Sequence, residues 1–140
     1  MHSGDTLLIP APGGSETPHL WIIVTEPLPD TNRCVIVSVT TLRNNQDQTV
    51  TLDVGDHPFI RWPSVVSFAD ADFADTMTLL TQVAARNAVP QQPCSSRVLQ
   101  LVRDGISASP RTPNEIVAFC REQWGMPADL RRAIGISAGR

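Results

Sequence analysis

Apolar positions in the first half of the chain fall into short, β-branched runs separated by proline, glycine and small polar residues. Leu20 to Thr25 (LWIIVT) and Cys34 to Val39 (CVIVSV) are continuous apolar stretches, too short for independent helices and suited to buried strands. Asp5 to Pro10 (DTLLIP) predicts an earlier strand, closed by the turn-forming Pro10, Pro12, Gly13 and Gly14. Thr49 to Val54 (TVTLDV) alternates, placing Val50, Leu52 and Val54 on one face of a half-exposed strand. Ser64 to Phe68 (SVVSF) is a further strand, and Glu26 to Asn32, with two prolines, is a loop. Strands in succession with no helices between them pair antiparallel, because parallel pairing needs crossover connections.

The pattern changes in the second half. Asp72 to Arg86 repeats Phe73, Met77, Leu80 and Val83 or Ala84 at helical spacing, although its first residues can also continue the strand before it. Ser95 to Ile106 sets Val98, Leu101 and Val102 on one side of a helix. Thr112 to Trp124 carries the fullest set of helix signals. Thr112 and Glu115 have capping-box spacing, Pro113 suits the first helical position, and Gly125 suits the end. Ile116, Phe119 and Cys120 line its apolar side, and the tail after Pro127 adds one more turn or frays. These elements predict an α+β chain: an antiparallel sheet or small β-barrel over residues 1–71, followed by a helical extension over 72–140 packed on or beside it.

Composition narrows the functional classes. No run approaches membrane-spanning length and no secretory signal is visible, so the expected location is the cytoplasm, with no membrane partner. Cys34, Cys94 and Cys120 have no metal-binding spacing and read as buried reduced thiols. No metal and no cofactor are expected. Asp70, Asp72 and Asp75 read as the acidic first turn of a helix. With a net charge of −3, nucleic-acid binding requires a local basic cluster instead of a global field. All 11 basic residues are arginine, a bias that base composition of the genome explains most simply.

The order of features over residues 4 to 73 resembles the PemK/MazF family of ribonuclease toxins. Gly4 and Asp5 precede an apolar strand, and a Gly/Ser-rich loop, Gly13 to Pro18, follows it. The strand Leu20 to Thr25 comes next, and then a Thr40–Thr41 pair directly after the third strand. Thr51–Leu52 and the Ser64 to Asp70 segment complete the match. The resemblance implies an SH3-like barrel, metal-independent cleavage of single-stranded RNA by 2′-hydroxyl attack, a cognate antitoxin protein and a homodimer. One departure stands out. The family places Arg-Pro before the second strand, whereas this chain has Pro18 and His19.

Such chemistry needs a base, an acid and a cation at the phosphorane. His19, at a loop-to-strand junction, is placed to act as base or phosphate contact in place of the missing arginine. Thr40 and Thr41 match the family's substrate-contacting pair, with Arg43 beside them for phosphate. His57 in the turn Gly55 to Ile60, with Asp56 to orient it, joins Arg61 and Ser64 as acid, cation and hydroxyl, and Trp62 offers a stacking surface. Each has an ordinary alternative: a loop cap for His19, a strand end for the threonines, a solvated arginine, and a turn plugged by Phe59 for His57. His2 reads as a mobile terminal residue. Two further readings stay open. In one, the barrel is a non-catalytic module binding protein or nucleic acid. In the other, the C-terminal helices, anchored by Phe119 and Trp124, drive assembly.

Overall fold

The computed structural model describes residues 1–10 and 17–124. It is α+β: a curled, antiparallel six-stranded half-barrel carrying three helices. The strands are β1 (Thr6–Ile9), β2 (His19–Ile23), β3 (Arg33–Thr41), β4 (Thr51–Leu52), β5 (Ser64–Asp75) and β6 (Val89–Gln91). They lie in the order β4-β5-β3-β2-β1-β6. The helices are α1 (Thr76–Ala84), α2 (Ser96–Ala108) and α3 (Asn114–Trp124).

The apolar runs are continuous because the central strands are buried on both faces. In β3, Val35, Val37 and Val39 point into a core shared with Val98, Val102 and Ile106 of α2 and Ile116 and Cys120 of α3. The intervening Cys34 and Ile36 point the other way, into a second core with Leu7, Ile23 and Leu79 of α1. The same alternation divides β2, with Leu20 and Ile22 on the first side and Ile23 on the second. The helices therefore cover two opposite sides of the sheet.

Curl comes from β5. Its first half pairs with β3 from Ser38↔Ser67 to Thr41↔Ser64, and its second half from Arg33↔Asp75 to Ile36↔Asp72. Between these registers, residues 68–71 stand opposite Val37 alone, a bulge that bends and twists the strand.

Several expectations change at the element ends. The helix expected from Asp72 begins at Thr76, because residues 72–75 remain in β5, paired with β3. The expected boundary between residues 71 and 72 falls inside that strand, and β6, beyond α1, joins the sheet beside β1. Of the three aspartates, Asp75 alone serves the helix, accepting the Met77 N–H at 2.7 Å, while Asp70 and Asp72 lie on the strand. Val54 leaves the line of Val50 and Leu52 and is 64% exposed, since β4 ends at Leu52 and the chain turns through Gly55 at φ +101°.

Helix α2 is capped by Ser95, whose Oγ accepts the Val98 N–H at 3.1 Å. The capping box of α3 is not made. The Pro113 carbonyl accepts the first helical bonds, from Ile116 and Val117, and Thr112 Oγ1 is buried without a hydrogen-bond partner. Gly125, the tail after Pro127 and most of the Gly13 to Pro18 loop lie outside the described residues.

His2 is tied down. Its Nδ1 lies 3.0 Å from Glu26 Oε1, and the Ser3 N–H and hydroxyl both donate to the same carboxylate. The three cysteines are free, with Cys34 and Cys120 buried and Cys94 half-buried. Among the described residues, no helix is long and apolar enough to cross a membrane.

Candidate functional site

Antiparallel register gathers the start of β2, the end of β3 and the start of β5 at one end of the sheet. Leu20 pairs with Val39, Thr40 with Val65, and Thr41 with Ser64. A bond from Leu42 N–H to the Pro63 carbonyl, 2.9 Å, continues the pairing past the strand ends. The loop returning from β4 then closes over this corner and leaves a cleft of about 630 Å³. Leu20, Val39 and Ile60 supply its buried apolar lining, and Thr17, Pro18 and Phe59 line it as well.

His19, Thr40, Thr41, Arg43, Arg61, Trp62 and Ser64 all line this cleft. They come from three stretches of the chain, residue 19, residues 40–43 and residues 61–64, which the sheet register makes neighbours. Arg43 and Arg61 are exposed, and Trp62 is 67% exposed, an aromatic face held in solvent. Ser64 is buried and donates its hydroxyl to the Trp62 carbonyl at 2.7 Å. That serine fixes the turn presenting Trp62 and has no free proton for substrate. Its expected catalytic role becomes one of positioning.

Among the described residues no carboxylate lines the cleft, whereas two guanidiniums and one imidazole do. A chain of net charge −3 thus concentrates positive groups at one site, the local cluster that anion binding requires. Guanidinium forks suit phosphate oxygens, and the threonine hydroxyls add neutral donors.

His57 stands apart from this group. It is 4% exposed, and both ring nitrogens are engaged. Nε2 lies 2.6 Å from the Gln92 carbonyl, and Nδ1 accepts the Phe59 N–H at 3.0 Å. These bonds assign the neutral ring with its proton on Nε2. Thr6 Oγ1 lies 3.3 Å from Nε2 and donates to the same Gln92 carbonyl at 2.8 Å. His57 therefore joins β1, the β4–β5 loop and the segment after β6, and it borders a separate cleft. Asp56 does not orient it. One Asp56 carboxylate oxygen pairs with Arg97 and the other accepts the Asp53 N–H at 2.8 Å. His57 does not line the cleft with His19, and backbone groups of Gln92 and Phe59 hold both of its ring nitrogens.

Gln46 was not singled out from sequence, yet it shapes the site. Its Oε1 accepts the Arg43 N–H, and its Nε2 donates to the Thr41 carbonyl at 3.2 Å, closing the turn that carries Arg43. The polar stretch Leu42 to Gln48 gives no local sign of which amide does this. Among the described residues, no group of three His, Cys, Asp or Glu is placed to hold a metal ion.

No protein-family model and no curated protein matches this chain. Function is read from the chemistry of the cleft.

Proposed function

We propose that this chain is a divergent PemK/MazF-like endoribonuclease that binds single-stranded RNA in the cleft between His19 and Arg61. The observation that carries this reading is a cleft whose described lining holds two arginines, an imidazole and an exposed tryptophan and no carboxylate. Phosphates would meet Arg43 and Arg61, and a base would stack on Trp62. The curled antiparallel half-barrel supports this reading, in which the sheet is a divergent form of the SH3-like barrel that the resemblance implies. A second copy and a small antitoxin protein are the partners implied by the same reading.

His19 takes the role of base. It accepts the proton of a 2′-hydroxyl as that oxygen attacks the adjacent phosphorus. The P–O5′ bond breaks, a 2′,3′-cyclic phosphate forms, and the departing 5′-oxygen takes a proton from water. Arg43 and Arg61 balance the charge gathering on the phosphorane, aided by the Thr40 and Thr41 hydroxyls. No step uses a metal, and His57 has no part.

A non-catalytic RNA-binding module is the second reading. It is favoured by the engagement of His57 and Ser64, which leaves His19 as the one imidazole among the described residues lining the cleft. One experiment separates the two. The full chain is incubated with a labelled RNA in EDTA, and cleavage and binding are measured on the same samples. Cyclic-phosphate products that vanish in His19→Ala support the enzyme. Binding without cleavage selects the module, and absence of both with every RNA tried overturns both.

A further inference from the structure

A second cleft of about 500 Å³ adjoins the first, and Ile60 and Arg61 line both. It lies between the turn after β4 and the segment after β6, with Val54, Asp56, Pro58, Gln92 and Pro93 among its lining. Its chemistry differs from that of the first cleft. The Asp56 carboxylate is already held by Arg97 and the Asp53 N–H, and the His57 ring is spent on Gln92 and Phe59. Arg61, on the shared wall, is the one arginine among its lining residues. Val54, Pro58 and Pro93 are exposed apolar surfaces, and the exposed Gln92 side chain carries an amide donor and acceptor together.

We infer that the second cleft receives the nucleobase next along the RNA strand whose phosphate is held by Arg61. A phosphate there would meet no further free cation among the described residues lining the cleft. A base, in contrast, finds apolar walls for its faces and a Gln amide for its edge, the arrangement that reads exposed bases of single strands. Arg61 is then the pivot: its guanidinium holds the phosphate between the base at Trp62 and the base at Gln92. This inference rests on the first cleft being an RNA site and extends it from a single contact to a strand-length footprint.

The test measures anisotropy of labelled 2′-fluoro oligoribonucleotides, which lack the attacking hydroxyl, from two to five nucleotides long. Full-length wild type, Val54→Glu and Gln92→Ala are compared. Val54 is exposed, so a carboxylate there repels the strand without entering the core. The expected result is an affinity step of about tenfold at the length that reaches the second cleft, the size of one added base contact. Val54→Glu abolishes that step and Gln92→Ala reduces it, while both bind the dinucleotide as wild type does. Affinity independent of length overturns the inference and leaves the first cleft standing. So do variants that weaken short and long oligomers alike. Failure of wild type to bind any length overturns the underlying RNA reading instead, and the inference with it.

Discussion

Gly105 lies inside α2, where glycine is intrinsically poor: alanine at such a position is favoured by about 1 kcal/mol. Gly105→Ala is nonetheless expected to destabilise the protein. A Cβ on Gly105 would lie 2.3 Å from Phe68 Cζ, 2.9 Å from Phe68 Cε2 and 2.7 Å from Val50 Cγ2. Neither neighbour can yield by moving into solvent, because Phe68 is fully buried and Val50 nearly so. Overpacking of this kind costs about 1–3 kcal/mol, and contacts from two sides put this case at the upper end. Subtracting the helix-propensity gain leaves a net loss of about 2 kcal/mol. For a chain of this size that corresponds to a fall in Tm of roughly 8 °C. Thermal melts followed by far-UV circular dichroism, with urea midpoints at unchanged slope, measure it. Val50→Ala in the same background removes one obstructing methyl, so the double variant is expected to cost less than the sum of the singles. A rise in Tm for Gly105→Ala, or strict additivity with Val50→Ala, refutes the proposed close approach of α2 to the sheet.

The other expectations concern the cleft and the elements that hold it. If Arg43 and Arg61 each neutralise one phosphate, alanine at either lowers the slope of log affinity against log salt by about 0.7, read from RNA titrations over a salt series; an unchanged slope excludes that residue as a phosphate contact. His57→Ala leaves the Phe59 N–H without its partner and the Gln92 carbonyl with Thr6 Oγ1 alone, a loss of about 1–3 kcal/mol seen in the melting curve. The folded fraction of this variant should keep the wild-type pH profile of cleavage; a lost limb of that profile would return His57 to the chemistry. Acid stability provides a further check. Burial alone would raise the Glu26 carboxyl, but hydrogen bonds from Ser3 and His2 outweigh it and bring it down from 4.5 to about 2. Burial likewise acts against Asp47, where bonds from Ser109 and Thr49 prevail and hold it below its ordinary value. Depressed folded-state values mean stability that is complete above the ordinary carboxylate range and is lost as pH falls toward the folded values. Urea midpoints should therefore drop between about pH 4.5 and 2, and less steeply in Glu26→Gln. A flat midpoint across that window contradicts the bonding described.

The apolar runs LWIIVT and CVIVSV by themselves determined that the first half is β-rich, because uninterrupted β-branched residues suit strands buried on both faces. Helical spacing likewise located α2 and α3. Local signals failed where a distant partner competed. Residues 72–75 fit a helix by spacing, but pairing with Arg33 to Ile36 held them in β5. Thr112 and Glu115 had the spacing of a capping box, yet Thr112 is buried away from that role. The residues of the first cleft were visible one by one as types suited to phosphate and base. That they share a site follows from Thr41↔Ser64 and Leu20↔Val39, registers that set side chains from separate segments at one sheet corner. His57 shows the converse. Its sequence neighbours Asp56 and Arg61 suggested chemistry, while the backbone of Gln92, 35 residues away, decided its place. Buried polar groups must find partners wherever the fold brings them, and that requirement is settled only in three dimensions.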